Sequence, residues 1–126
     1  MPIVRLDHIN VRTHQLDTMI EWYTRVLGFT QGARPDFRFP GAWMYIDDTP
    51  MVHLVDALGN KGVGAEKSLK IEHFAFSANN KDEFEKKLTF NNIEFKTVDI
   101  PEINLIQYNL WDPDGNHIHV DFALNE

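Results

Sequence analysis

Asp112-Pro113-Asp114-Gly115-Asn116-His117-Ile118-His119-Val120-Asp121-Phe122 is the stretch whose reading decides the fold. Its first five residues are turn chemistry: proline fixes φ after an aspartate, and Asp-Gly supplies the positive-φ positions of a hairpin turn. The rest alternates. In a strand, His117, His119 and Asp121 share one face while Ile118, Val120 and Phe122 share the other, so three groups able to bind metal oppose three apolar ones. Such a strand stands half in a core and half in a site.

Working outward, the same chemistry recurs at a fixed spacing. His53 lies 66 positions before His119, Phe29 lies 66 before Phe95, and His8 lies 65 before His73. Around these landmarks the chain reads as two copies of strand, helix, strand, strand, strand. In the first copy, Leu6-Asp7-His8-Ile9-Asn10-Val11 is strand 1. Leu16, Met19, Ile20, Tyr23, Val26 and Leu27 fall at helical spacing, with Asp17 or Thr18 as N-cap, a Thr18-to-Glu21 capping box and Gly28 as the stop. Phe29 to Ala33 is a second strand, and a loop holding Arg34, Pro35, Phe37, Arg38 and Phe39 follows it. Ala42–Ile46 and Met51–Asp56 form a hairpin across Asp47-Asp48-Thr49-Pro50.

The second copy opens on Ile71-Glu72-His73-Phe74-Ala75-Phe76, which matches the opening of the first position for position. A helix capped by Asn80, with Glu83 three residues on, buries Phe84 and Leu88 and ends at Asn91-Asn92. Ile93-Glu94-Phe95 starts another strand, and Asn104–Trp111 and His117–Phe122 make the last hairpin. The boundaries are residues 1–58 for the first module, 59–69 for a glycine-rich connector and 70–126 for the second.

Composition limits what these modules can do. A chain of 126 residues, 43% hydrophobic, supports a real core, and the absence of cysteine removes disulfides, thiolate metal sites and a cysteine nucleophile. A formal net charge of -7 disfavours nucleic acid and anionic lipid as partners. The N-terminal residues lack the apolar run of a signal peptide and no segment has the length of a membrane span, so a cytoplasmic location is expected.

Each helix must cover the apolar face of its own sheet, which leaves the opposite face, carrying His8, Asn10, His53, His73 and His119, to build a site. Two such faces can make a cup. A buried imidazole is costly unless hydrogen-bonded or metal-bound, so a divalent ion on these four histidines is the favoured reading and a polar pocket without metal the alternative. His14 and His117 fall outside the scheme, His117 because it lies nearer the turn. From hairpin register, with Ile46 opposite Met51, Met44 faces His53 while Trp43 and Tyr45 turn to the core; Asn109 neighbours His119, and Gln107 points to the same face. Gln107, Asn109 and Asn10 are then candidates for orienting a polar substrate or a ligand imidazole. Arg34 and Arg38 can hold a substrate carboxylate.

The duplicated unit, Leu6-Asp7-His8, the run from Trp22-Tyr23 to Leu27-Gly28-Phe29, Ile71-Glu72-His73 and the Asp112–Asn116 turn together resemble the glyoxalase, bleomycin-resistance and extradiol dioxygenase proteins, the vicinal oxygen chelate superfamily. The resemblance covers essentially the whole chain. It implies an α+β fold of two βαβββ modules around a cupped mixed sheet with helices on the outer face, and one divalent metal ion per site (Zn, Ni, Fe, Mn or Co). The ligand positions it implies are His8, His53, His73 and His119, and a homodimer is expected with it.

The chain departs from that pattern where Ile118-His119-Val120 stands in place of the usual Ile-Glu-Leu. The carboxylate that can serve as ligand and base is thus absent, and Asp121, two residues along the same face, is the nearest replacement base. Three functions remain open: a glyoxalase-like lyase or isomerase on a small substrate that chelates metal through adjacent oxygens, an Fe(II)-dependent extradiol-type dioxygenase, and a non-catalytic drug-binding protein.

Overall fold

The computed structural model describes residues 2, 5–57 and 69–126. The chain divides into two compact units, Met1–Gly64 and Ala65–Glu126, and each carries one βαβββ module. The first runs β1 (Ile9–Thr13), α1 (Leu16–Arg25), β2 (Thr30–Gly32), β3 (Gly41–Ile46) and β4 (Thr49–Asp56). The second runs β5 (Phe74–Ser77), α2 (Lys81–Phe90), β6 (Lys96–Ile100), β7 (Leu105–Trp111) and β8 (His117–Ala123), with a 3-10 turn at Pro101–Ile103. The strand orders are β1-β4-β3-β2 and β5-β8-β7-β6. In each sheet the first strand of the module pairs parallel with the last, and the other pairings are antiparallel. The α+β class and the duplication expected from the repeat are both present. Apart from Leu69, the connector expected over residues 59–69 lies outside the described residues.

Alternation sorts each sheet into two faces. In the first module Ala42, Met44, Val52 and Leu54 are buried on the face that α1 covers, together with Met19, Tyr23 and Val26. Each of the buried Met, Val and Leu side chains contributes about 1.5–3 kcal/mol. Tyr23 meets Phe29 edge-on at 5.9 Å, and Gly28 ends the helix at φ 78°. The helix starts earlier than expected, with Gln15 in the N-cap position and no side-chain cap. Thr13 Oγ1 accepts the Gln15 amide at 3.0 Å instead. Thr18 and Glu21 therefore lie inside α1, where Glu21 accepts from Arg25 at 2.6 Å rather than closing a capping box.

In the second module Tyr108, Leu110, Ile118, Val120 and Phe122 form the buried face. Phe84 of α2 packs its ring on Tyr108 and Phe122. The Tyr108 hydroxyl donates to Glu85 at 3.0 Å, and burial together with that carboxylate pushes the phenol up to about 12. Asn80, at φ 66°, makes no side-chain cap for α2. The first amides of the helix, Asn80 and Lys81, donate instead to the Glu126 carboxylate at 2.8 and 2.6 Å.

These bonds, that of Lys81 first, hold the Glu126 carboxyl below its ordinary value of 4.5. A carboxyl depressed on folding stabilises the fold above the unfolded value, and that contribution is lost as pH falls through the folded one. Glu126→Gln is therefore expected to lower the melting temperature at pH 7, with the gap to wild type closing as pH drops below 4.5. Thermal melts of the two proteins between pH 3 and 7, roughly the range over which such a carboxyl titrates, check this.

Two boundaries differ from expectation in ways that shape the site. The parallel ladders begin at Ile9↔Val52 and Phe74↔Ile118, so 6–8 and 71–73 precede the sheets. Leu6 is 81% exposed and Ile71 74% exposed, which shows that their apolar side chains have no core to enter. His8 and His73 thus stand just ahead of the first strand of each module. In the first hairpin the loop is only Asp47-Asp48, with Asp47 at φ 52°, and Pro50 lies within β4 opposite Tyr45. A bulge between Met44 and Tyr45 then shifts the register.

Candidate metal centre

That bulge corrects one expected site residue. Trp43, not Met44, sits opposite His53; Met44 pairs with Val52 and is fully buried in the core beneath α1, out of reach of a ligand on the other face. The duplication carried the signal, because Trp43 lies 66 positions before Asn109 and both stand directly opposite the histidine of the neighbouring strand. The second hairpin keeps the expected register. Asn109 faces His119, and Gln107 faces Asp121.

In the first module the face opposite α1 carries a column of rings. His53, 8% exposed, is stacked between His8 (3.8 Å, 9° between planes) and Trp43 (4.1 Å, 15°). Phe37 continues the column beside Trp43 and stacks on Phe39 at 5.2 Å. Asn10 lies opposite His53 in the parallel ladder. His53 Nε2 donates to the Pro50 carbonyl at 3.0 Å, which leaves the Nδ1 lone pair available. Burial holds this imidazole below its ordinary value, aided by neighbouring His8 and opposed by the Pro50 bond, so the ring is neutral and fit to ligate. The in-plane lone pairs of two stacked rings lie in parallel planes and do not converge on one point. Joint ligation by His8 and His53 therefore requires one ring to turn, and His8, with its side chain 39% exposed, has the room.

The guanidinium of Arg34 lies over the Phe37 and Phe39 rings, 4.9 and 5.1 Å from their centres. It donates to the Phe39 carbonyl at 2.9 Å, while its Nε is buried without an acceptor among the described residues. Gly41 makes this packing possible, since a Cβ there would stand 2.8 Å from Arg34 Nη2 and 2.6 Å from the Leu54 carbonyl. Arg38 is exposed in the same loop.

In the second module the corresponding face gathers three histidines. His119, 6% exposed, has its ring 4.4 Å from that of His73, and His117 lies 5.3 Å from His73. His119 Nδ1 bonds Asp121 Oδ1 at 2.6 Å, so the carboxylate expected to act as a base has one oxygen committed to a candidate ligand. His73 Nδ1 bonds Glu72 Oε1 at 2.6 Å, and the other Glu72 oxygen takes His117 Nδ1 at 2.8 Å. These two bonds, that to His73 first, hold the Glu72 carboxyl below its usual range; the bond from His8 does the same for Asp7.

Glu72, His73 and His117 are a group whose donor atoms all lie within 4.8 Å of one another. Neither Glu72 nor His117 is among the ligands that the repeat in the sequence marks. Strand position alone could not show that the acid before His73 turns back toward the ring. His117 has both nitrogens engaged, because Nε2 meets Asn109 Oδ1 at 2.8 Å while the Asn109 amide donates to the Lys96 carbonyl at 3.3 Å. The Lys96 contact fixes which end of the amide faces His117. His14 is exposed, as expected.

Histidines at equivalent places of a duplicated βαβββ frame point to one class, and the chain belongs to it: the model of the Glyoxalase/Bleomycin resistance protein/Dioxygenase superfamily matches residues 5–120. Among its relatives is Glyoxylase I 4 of Arabidopsis thaliana, 28% identical over an alignment 123 residues long that covers 94% of this chain and 70% of that protein. A glyoxalase family protein from Bacillus anthracis superposes with a TM-score of 0.75 at 22% identity, covering 96% of each chain. Lactoylglutathione lyase from Agrobacterium tumefaciens gives the same TM-score at 18% identity over 99% of this chain and 98% of that one. At these identities the structural likeness speaks to the fold. Among the described residues no helix is long and apolar enough to cross a membrane.

Proposed function

We propose that the chain is a divalent-metal-dependent lyase or isomerase of its superfamily, acting on a small substrate that presents two adjacent oxygens, with His8, His53, His73 and His119 as metal ligands. The observation that carries this reading is the state of the ring nitrogens. His8, His73 and His119 each have Nδ1 on a carboxylate and His53 has Nε2 on a carbonyl, so each ring in its neutral form has one lone pair to give. The bound ion supplies Lewis-acid polarisation of substrate oxygens. An all-imidazole set brings no charge of its own, and the carboxylates on His8, His73 and His119 offset part of the ion's +2 through the rings.

The chain's other residues then have separate tasks. Asn10, beside His53, offers its amide to a polar substrate, while Asn109, beside His119, has its amide on His117 and Lys96 and orients the His117 imidazole. Arg34 offers a cation to a substrate anion. Proton transfer falls to Oδ2 of Asp121, with Gln107 directly across the ladder to orient the same group. The name of the relative Glyoxylase I 4 favours the lyase reading over a dioxygenase.

A second reading has its own support: the ring column from Phe39 to Trp43 suits sequestration of a planar aromatic molecule without catalysis. Assays on protein reconstituted in turn with Zn, Ni, Co, Mn and Fe(II) separate the functions. Thiol adducts of 2-oxoaldehydes should be isomerised in a reaction that a chelator stops. Oxygen-dependent ring opening of catechols would favour the dioxygenase. Metal-independent, saturable binding of an aromatic compound with no turnover would favour the binding protein.

A further inference from the structure

The structure assigns Asp7 and Glu72 as positioning residues that set the tautomer of His8 and His73, fixing the proton on Nδ1 and so leaving the Nε2 lone pair for the ion. This rests on the metal reading above and adds to it which nitrogen each histidine uses and which residue decides. An ionised carboxylate only accepts hydrogen bonds, so a ring nitrogen 2.8 Å from Asp7 Oδ2 or 2.6 Å from Glu72 Oε1 must carry the proton. A neutral imidazole has one proton, and its lone pair is then on the other nitrogen. Carboxylate, histidine and metal in series are a recurrent arrangement, in which the carboxylate fixes ring orientation and raises ligand basicity.

The same arrangement is built twice. Asp7 and Glu72 stand immediately before His8 and His73, at equivalent places in the two modules. Within a strand, adjacent side chains point to opposite faces and could not meet in this way. Here they can, because 6–8 and 71–73 precede the ladders that start at Ile9 and Phe74. At His119, inside β8, the carboxylate comes from two residues along the same face, Asp121, as strand geometry requires.

The Glu72 assignment also decides between two roles for the Glu72, His73 and His117 group. As a joint site using the ring Nδ1 atoms, the group would lose both Glu72–imidazole bonds, because a metal-bound nitrogen has no proton to donate. As a positioning residue Glu72 keeps them, and His117, held by Asn109 and stacked on Trp111 at 5.3 Å, steadies the carboxylate from behind.

Histidine-selective nitrogen NMR on the metal-free full chain reads the tautomers directly. His8 and His73 are expected as the Nδ1–H form and His53 as the Nε2–H form. Finding His8 and His73 predominantly as Nε2–H would overturn the assignment, whether or not the protein binds metal. Cobalt(II) titration is the second arm. Asp7→Asn and Glu72→Gln, both at exposed side chains, should each weaken binding about 10–100-fold and leave the ligand-field spectrum of the bound ion unchanged. Unchanged affinity would overturn the positioning role, and so would a Glu72→Gln spectrum showing a lost oxygen ligand. Failure of wild-type protein to bind cobalt, with the tautomers as expected, would refute the metal reading and leave the tautomer assignment standing.

Discussion

His73→Ala and His119→Ala are each expected to abolish stoichiometric uptake of a divalent ion, with affinity falling well beyond the roughly 10–100-fold loss typical of removing a group that only orients a ligand. The two rings lie 4.4 Å apart on the face of the second module that the core leaves free. Both have Nδ1 committed to carboxylates at 2.6 Å. Removing either takes away a donor that no neighbour replaces, because His117 has both ring nitrogens engaged. His117→Ala is the informative control. It should leave uptake stoichiometric and weaken it only as far as Glu72 loosens. Equilibrium dialysis with zinc checks all three variants, and uptake by His73→Ala equal to wild type would remove that residue from the ligand set.

Asp112→Ala is expected to destabilise the protein by about 2–3 kcal/mol. Asp112 is only 4% exposed. Its Oδ1 accepts the amides of Asp114 and Asn116 at 3.0 and 2.9 Å, and its Oδ2 accepts the Asn116 side-chain amide at 2.8 Å. The turn is closed from inside. Gly115, at φ 84°, supplies the left-handed position and donates to the Asp112 carbonyl at 2.8 Å. Alanine removes three charge-assisted bonds at once, although Asp114 and Gly115 are exposed and water replaces part of the loss. Asp112→Asn retains one acceptor oxygen and should recover a good share. Urea denaturation measures both, and a change under about 0.5 kcal/mol for Asp112→Ala would mean the turn holds itself without that side chain. Because β8 begins two residues after Gly115, the alanine variant should also bind metal more weakly.

The same turn shows why so much of the fold was legible. Asp-Pro-Asp-Gly-Asn specifies its conformation locally, and strict alternation from His117 to Phe122 fixes which side chains enter the core. The duplication supplied the rest, since a constant offset locates strands that pattern alone leaves ambiguous. Legibility failed where the deciding contact was not local. The α2 cap comes from Glu126, distant in sequence from Asn80, so the helix signal in Asn80 and Glu83 pointed to a cap the structure does not use. Met44 and Trp43 exchanged places because a tight Asp47-Asp48 loop and a bulge moved the register, and a one-residue slip sends every side chain to the other face. The histidines of the candidate site were visible as types and spacings. Their hydrogen-bond partners were not, because Asp7 and Glu72 meet the rings only where the chain has left the sheet.

Metal content of untagged protein, measured by plasma mass spectrometry after reconstitution and exhaustive dialysis, tests the imidazole centre most directly. One divalent ion per chain is expected for the wild type and none for a variant with His8, His53, His73 and His119 all changed to alanine. Wild-type protein that retains no metal, or a quadruple variant that retains as much, would contradict it.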